Sequence, residues 1–389
     1  MGNFIAKRWS YIDDAGIWAH QLSATVAAGN LLPIGAGRDT GVLNAQSPTI
    51  AVGEVGGAFP ALTVAAMWDL AQPTADPVEL GTILNMLGSS ATSIDNDVIV
   101  GSVTLQNNSI IAVIWDATNP TNAPIQLSTI TNQANATATD ILGNNVVGWA
   151  TNSSESFALV WDASAPSNAP VTLGIGTGDS AEAVFDTSVV GTDTSGSAVL
   201  WDLSNPANAA IVLGASVDQQ ASWAKAGFGS AIIGLSQNTS FVGQAVLWSL
   251  AAPTDPPIVL GLTAGMTETY ASDISADAIV GSITDGSTVF GCLWDLANPT
   301  ADPVLIPGYQ ARAESILGNS IVGSASPTDG GEAFPATWDS TSLGVFVSVG
   351  SGPDYMNSLY LTTNALAETE FQYLSADGDA TQAFVSALP

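Results

Sequence analysis

Residues 291–308 read GCLWDLANPTADPVLIPG, and residues 112–128 read AVIWDATNPTNAPIQLS. Residues 198–214, AVLWDLSNPANAAIVLG, write the phrase a third time. Each copy is an apolar run ending in Trp, a loop carrying Pro, and a second short apolar run. The Trp recurs at Trp68, Trp115, Trp161, Trp201, Trp248, Trp294 and Trp338, at intervals of 40 to 47 residues. Between 10 and 15 residues before it, an apolar pair closes on Gly53, Gly101, Gly148, Gly191, Gly234, Gly281 or Gly323. Five residues after it stands Pro73, Pro120, Pro166, Pro206, Pro253 or Pro299. Three marks that keep step this long define a repeat. A period of 40–50 residues belongs to solenoids and propellers.

The unit 271–308 decides between those two. It has no 3.6-residue periodicity and no long helix-forming stretch. ASDISADA reads as a strand and turn, IVGSI as a second strand, TDGS as a hairpin turn and TVFGCLWDL as a third strand. Gly286 supplies the positive φ that such a turn favours. Pro299 cannot join a ladder, so ANPTA is a loop, and PVLIPG is the fourth strand. Four antiparallel strands per repeat make a propeller blade. The apolar second strand faces packed neighbours on both sides, and its Gly is expected to admit the adjacent blade. The Trp fills the gap between blades. The Asp after it (Asp69, Asp116, Asp162, Asp202, Asp295, Asp339) is expected to accept backbone N–H bonds in the turn.

The expected fold is therefore all-β, one β-propeller domain over 1–389. Residues 42–350 hold seven full repeats. The head, GIWAHQLSATVAAGNLLPIG, and the tail, FQYLSADGDATQAFVSALP, each carry a fragment of the pattern. The preferred reading is eight blades, with 1–41 and 351–389 jointly forming the closing one. Seven blades with decorated termini is the alternative.

LWDL, preceded by SITDGS and followed by an LG-like strand, resembles the tryptophan–aspartate repeat propellers, without their Gly-His pair. The order AVLWD, VLG, SWAKAGFGSAIIG over 198–234 resembles more closely the HAF-type extracellular repeats of bacteria and archaea. That resemblance implies a β-propeller at or outside the cell surface and brings no catalytic residues with it.

Charge bounds the function. The chain has 35 acidic and 5 basic residues and a formal net charge of −30, although only 10 % of residues are charged. Its cations are Lys7, Arg8, Arg38, Lys225 and Arg312. Nucleic-acid binding requires many cations on phosphates, so it is excluded, and anionic membrane surfaces are disfavoured. Such a surface resists aggregation and suits salty, marine or halophilic water. No apolar run reaches the ~18 residues of a membrane span. MGNFIAKRWSYIDDAG does not read as a secretion signal, because Asp13 and Asp14 fall where an apolar stretch belongs.

Candidate chemistry is sparse. His20 is the single histidine and Cys292 the single cysteine. No disulfide, His-rich zinc site or Ser-His-Asp triad is expected, and no catalytic residue or metal is assigned. Calcium is weighed for the Asp-rich SIDND (93–97) and SADGDATQ (375–382), without the pattern of a known loop. Irregular charged residues are Arg38, Asp39, Glu54, Asp218, Lys225, Glu268, Arg312 and Glu314. Arg38, Lys225 and Arg312 stand out as scarce cations able to hold an anionic ligand at the channel. The expected function is a non-enzymatic module for binding, adhesion or structural display, a spike or surface-lattice component of a virion or cell surface. Its partners would be other surface or virion proteins, or glycans, with oligomerisation open. A carbohydrate-active hydrolase or lyase with carboxylates at the channel mouth is the alternative.

Overall fold

Each Trp-bearing run is the third strand of a four-stranded antiparallel sheet. The computed structural model describes residues 32–33, 41–56, 63–72, 75–130, 133–152, 155–174, 178–326, 334–341 and 343. It also describes the strand backbones of 356–363, 368–375 and 381–387. Blades 1 to 6 cover 41–79, 86–126, 135–172, 180–212, 219–259 and 268–306, each with its strands in sequence order. In blade 6 the strands are Glu268–Ile274, Ala278–Thr284, Val289–Asp295 and Val304–Ile306. They follow the punctuation of the sequence, and Gly286 sits in the hairpin turn at φ 93°.

Blade 7 is built differently. Its first three strands are Tyr309–Leu317, Ser320–Ser326 and Phe334–Asp339, and its fourth is Leu32–Pro33 from the head of the chain. The ring therefore has seven blades, not the preferred eight, and a strand from the opposite end of the chain fastens it. The C-terminal strands Met356–Thr363, Glu368–Ser375 and Thr381–Ala387 pair only with one another among the described residues. Apart from Leu32–Pro33, Gly41 and these three strands, 1–41 and 351–389 lie outside the described residues.

The apolar residues gather into seven clusters, one at each blade interface, and each contains one of the recurring Trp side chains. Trp115, for example, packs with Val52, Ala65 and Leu80 of blade 1 and with Ala91 and Ile99 of its own blade. Trp68 packs beside Val322, closing the ring between blades 7 and 1. No single centre could hold a chain of this length; repeated wedges do. The outermost strands are only two or three residues long, so little unpaired edge is presented.

Hydrogen bonds interlock the wedges. At the blade 5–6 interface, Gly261 N donates to Pro299 O at 2.9 Å, and Trp294 Nε1 donates to Gly261 O at 2.8 Å. Gly81 and Gly214 are clasped in the same way by Pro120 with Trp115 and by Pro253 with Trp248. Ser128 takes this place between blades 2 and 3 and adds a hydroxyl bond to Ser167 O. So the Pro-bearing loop receives the end of the preceding blade. Where Asp follows the Trp it caps that loop, as expected: Asp116 Oδ1 accepts Thr118 N at 2.8 Å, and Asp295 Oδ1 accepts Ala297 N at 2.9 Å, while Ser249 stands in its place in blade 5.

The Gly of the second strand has a different cause from the one expected. A Cβ on Gly148 would collide with the Thr137 carbonyl of the same blade, and one on Gly281 with the Tyr270 carbonyl. The intruder is the blade's own inner strand, not the neighbouring blade. It comes close because every inner strand is irregular at this point (Leu43/Ala45, Ala91/Ser93, Ala138/Asp140, Ala181/Ala183, Ala224/Ala226, Ala271/Asp273, Ala313/Ser315). One extra residue there bends the strand.

Candidate functional site

The seven inner strands are Gly41–Gln46, Met86–Asp95, Asn135–Leu142, Ser180–Phe185, Gln219–Phe228, Glu268–Ile274 and Tyr309–Leu317. Neighbouring ones touch all round the ring. They enclose a central channel. At the end where inner strands turn into second strands, it opens into a cavity of about 910 Å³ lined by residues of all seven blades. The residues that the bulges insert are Asn44, Thr92, Thr139, Glu182, Lys225, Ser272 and Glu314, and all of them line it.

On one side of the ring these inserted residues stitch blades together. Asn44 Nδ2 donates to Ala91 O at 2.8 Å, Thr92 Oγ1 to Ala138 O at 2.8 Å, and Thr139 Oγ1 to Ala181 O at 2.9 Å. On the other side all but Ser272 are charged. Lys225 Nζ lies 3.6 Å from Glu182 Oε2. Two aspartates one residue further along act as deeper ties. Asp140 accepts Ser93 Oγ of blade 2 at 2.6 Å and Val184 N of blade 4 at 2.9 Å. Asp273 accepts Ser315 Oγ and Ile316 N of blade 7, both at 2.9 Å, and Ile274 N at 2.8 Å.

Burial dominates the acid–base behaviour of these groups. It pushes the Asp140 carboxyl up, against the pull of its donors and of Lys225. Asp273 is pushed up to about 6, chiefly by burial and slightly by the charge of Asp140. Glu314 is raised by burial, while Lys225 and Arg312 pull it back. On the exposed loops the sign reverses: hydrogen bonds from Thr118 and Asn119 lower Asp116, and bonds from Ser164 and Ser204 lower Asp162 and Asp202.

A pH dependence follows. Asp273 takes up its proton in the folded chain before it would in the unfolded one, whose value is near 3.8. Its ionised form therefore costs stability at pH 7, by at most roughly 3 kcal/mol. Stability should rise as pH falls from about 6 toward 4, with Asp140 and Glu314 acting in the same direction. Below that, Asp116, Asp162 and Asp202 lose their charge and stability falls again. Urea midpoints of the wild type and Asp273→Asn, measured from pH 7 to 4, should converge toward acid pH. A constant difference between them would mean that Asp273 titrates normally.

The architecture is a seven-bladed β-propeller. No family model and no curated protein matches the chain. Among solved structures it is similar to the β-propeller domain of the Trilobed protease from Pyrococcus furiosus, which has an open velcro topology. The identity is 9 %, with TM-score 0.54 over 78 % of this chain and 96 % of that one. It is also similar to prolyl endopeptidases (10 % identity, TM-score 0.52, 90 % of this chain and 54 % of that one). A puromycin hydrolase variant matches at 12 % identity and TM-score 0.51, over 82 % and 53 % of the two chains. The chain spans about half the length of those last two. At such identities the likeness concerns the fold alone.

Of the cations singled out by sequence, Lys225 and Arg312 lie on inner strands of blades 5 and 7, and Arg38 lies outside the described residues. Lys225 lines the cavity beside Glu314. Asp95, in the Asp-rich stretch 93–97, accepts Gly143 N from blade 3, and no group of three potential metal-binding side chains gathers among the described residues. Much of 375–382 lies outside them, as does His20. Cys292 is buried, which pushes its thiol well up. Sequence reasoning missed Asp140, Asp273 and Glu182. Each varies between copies, so none belongs to the repeated motif.

Proposed function

We propose that this chain is a non-enzymatic propeller serving binding, adhesion or structural display on a virion or cell surface, in salty surroundings. One observation carries the reading: the deeply placed channel carboxylates, Asp140 and Asp273, spend their oxygens on Ser and backbone donors of neighbouring blades. A carboxylate bound in this way holds a ring together and is poorly placed to exchange protons with a substrate. The net charge of −30 adds support, since a strongly acidic surface stays soluble and dispersed in brine. Surface proteins and glycans are the partners of this reading.

One observation favours a carbohydrate-active hydrolase as the second reading. Glu314 has a raised carboxyl, lines the cavity and feels the charges of Lys225 and Arg312, with Glu182 facing the same space. A general acid beside a second carboxylate is what glycosidic cleavage requires. Screening the full chain on a glycan array, then assaying each bound glycan for new reducing ends, separates the two. The display reading expects binding without release. Turnover that Glu314→Gln abolishes would overturn it.

A further inference from the structure

The repeat makes one position comparable across blades: the residue whose carbonyl meets the second-strand Gly. It is Ser90, Thr137 and Ser180 in blades 2 to 4, but Trp223, Tyr270 and Arg312 in blades 5 to 7. Three consecutive blades thus carry two large rings and a guanidinium where blades 2 to 4 carry small hydroxyl residues and blade 1 carries Val42. Trp223 and Tyr270 keep 36 % and 37 % of their surface exposed, and Arg312 is exposed between the buried Ala311 and Ala313. Tyr270 donates to Glu268 Oε2 at 2.7 Å, which fixes its ring.

The same sector gathers the exposed aromatics. Those among the described residues are Trp223, Phe228, Phe241, Tyr270 and Tyr309, all on blades 5 to 7. Phe228 stands at the cavity end, and the other four stand toward the opposite mouth. Phe241 occupies the turn between the second and third strands of blade 5, with φ at 62° and 65 % of its surface exposed. A bulky side chain rarely adopts that conformation. The Asn238 carboxamide enforces it by accepting Ser240 N and Val242 N.

Arg312 has no ion pair among the described residues, in a chain with 35 acidic side chains, whereas Lys225 is paired with Glu182. A guanidinium without an ion pair among the described residues, in the sector that holds the exposed aromatic side chains, suits a carboxylate carried on a ring whose C–H face can stack. A handful of separate rings falls short of the ~1,000 Å² of a stable protein interface, which favours a small ligand. We propose that the mouth formed by blades 5 to 7 binds acidic sugars of a glycan chain, stacked on Trp223 and Tyr270 with the carboxylate held by Arg312. This rests on the binding reading given above and names its ligand class and place.

The test uses the full chain with four-unit galacturonate and glucuronate oligosaccharides and their methyl esters, which keep the ring and lose the charge. Calorimetry and Trp fluorescence should show the acid form binding at least tenfold more tightly than the ester. Arg312→Gln should erase that preference, and Trp223→Ala should remove binding of both forms. Ser90→Ala, at the same position across the channel, should change nothing. Thermal unfolding of each variant checks that it is folded. Equal affinity for acid and ester, or affinity untouched in folded Trp223→Ala and Arg312→Gln, overturns this proposal and leaves the binding reading standing. Binding of neither form by the wild type also overturns it, and the glycan array then judges the broader reading separately.

Discussion

Gly148→Ala is expected to lower the free energy of unfolding by at least about 4 kcal/mol, a loss that only a named backbone conflict explains. The added methyl would lie inside the Thr137 carbonyl and 3.0 Å from Ala138 Cα. Both atoms are backbone, so no side chain can swing away. The inner strand would have to retreat, and the irregularity between Ala138 and Asp140 holds it where it is. That irregularity also delivers Thr139 to Ala181 O and Asp140 to Val184 N, so the damage would spread into blade 4. Gly143→Ala is the comparison within the same blade. Its φ is 60°, but nothing lies within 4 Å of a Cβ there, so only the left-handed conformation costs anything, about 1–2 kcal/mol. Urea midpoints of the two variants should differ clearly. Equal losses would show that conformational strain, and not the collision, explains the Gly.

Much of this was legible in the sequence because it repeats. Strand order, loop Pro, turn Asp and interfacial Trp are the same demands met in each blade, so they surface as periodic letters. The number of blades was less legible. NLLPIG in the head matches VLIPG of blade 6, and by that likeness alone it fits an additional blade as well as the seventh. The complementary sign was a gap: no Pro follows Trp338 at five residues, so the seventh copy lacks its own fourth strand. Leu32–Pro33 fills that vacancy. The channel was hidden for the opposite reason. Its residues follow no repeated letter from blade to blade, and side-chain alternation fails at a bulge, so a strict period-2 reading assigns them to the wrong face. The usable signal was the small residue fixed beside them: Ala91, Ala138, Ala181, Ala224, Ala271 and Ala313. Aligning the copies on that Ala places Trp223, Tyr270 and Arg312 in one column and Glu182, Lys225 and Glu314 in another.

The interfacial Trp side chains look equivalent in sequence, yet their substitutions should not behave alike. Trp248→Ala and Trp201→Ala should each cost about 3–5 kcal/mol, because both indoles are buried and leave a cavity between two blades. Phenylalanine separates them. Trp248 Nε1 donates to Gly214 O at 2.7 Å, inside the clasp formed with Pro253. Trp248→Phe loses that bond and strands a buried carbonyl, at a cost of about 1–3 kcal/mol beyond the smaller ring. Trp201 Nε1 has no hydrogen-bond partner among the described residues. Gly174 occupies the corresponding place with φ at 73°, its N bonded to Pro206 O. Trp201→Phe removes an unsatisfied donor, so the relief offsets part of the lost packing, and the net change should stay within about 1 kcal/mol. Guanidinium or urea unfolding of the four variants reads the contrast directly. If the two Phe variants unfold at the same midpoint, the indole N–H bonds contribute nothing, and the blades are held by shape and apolar contact alone.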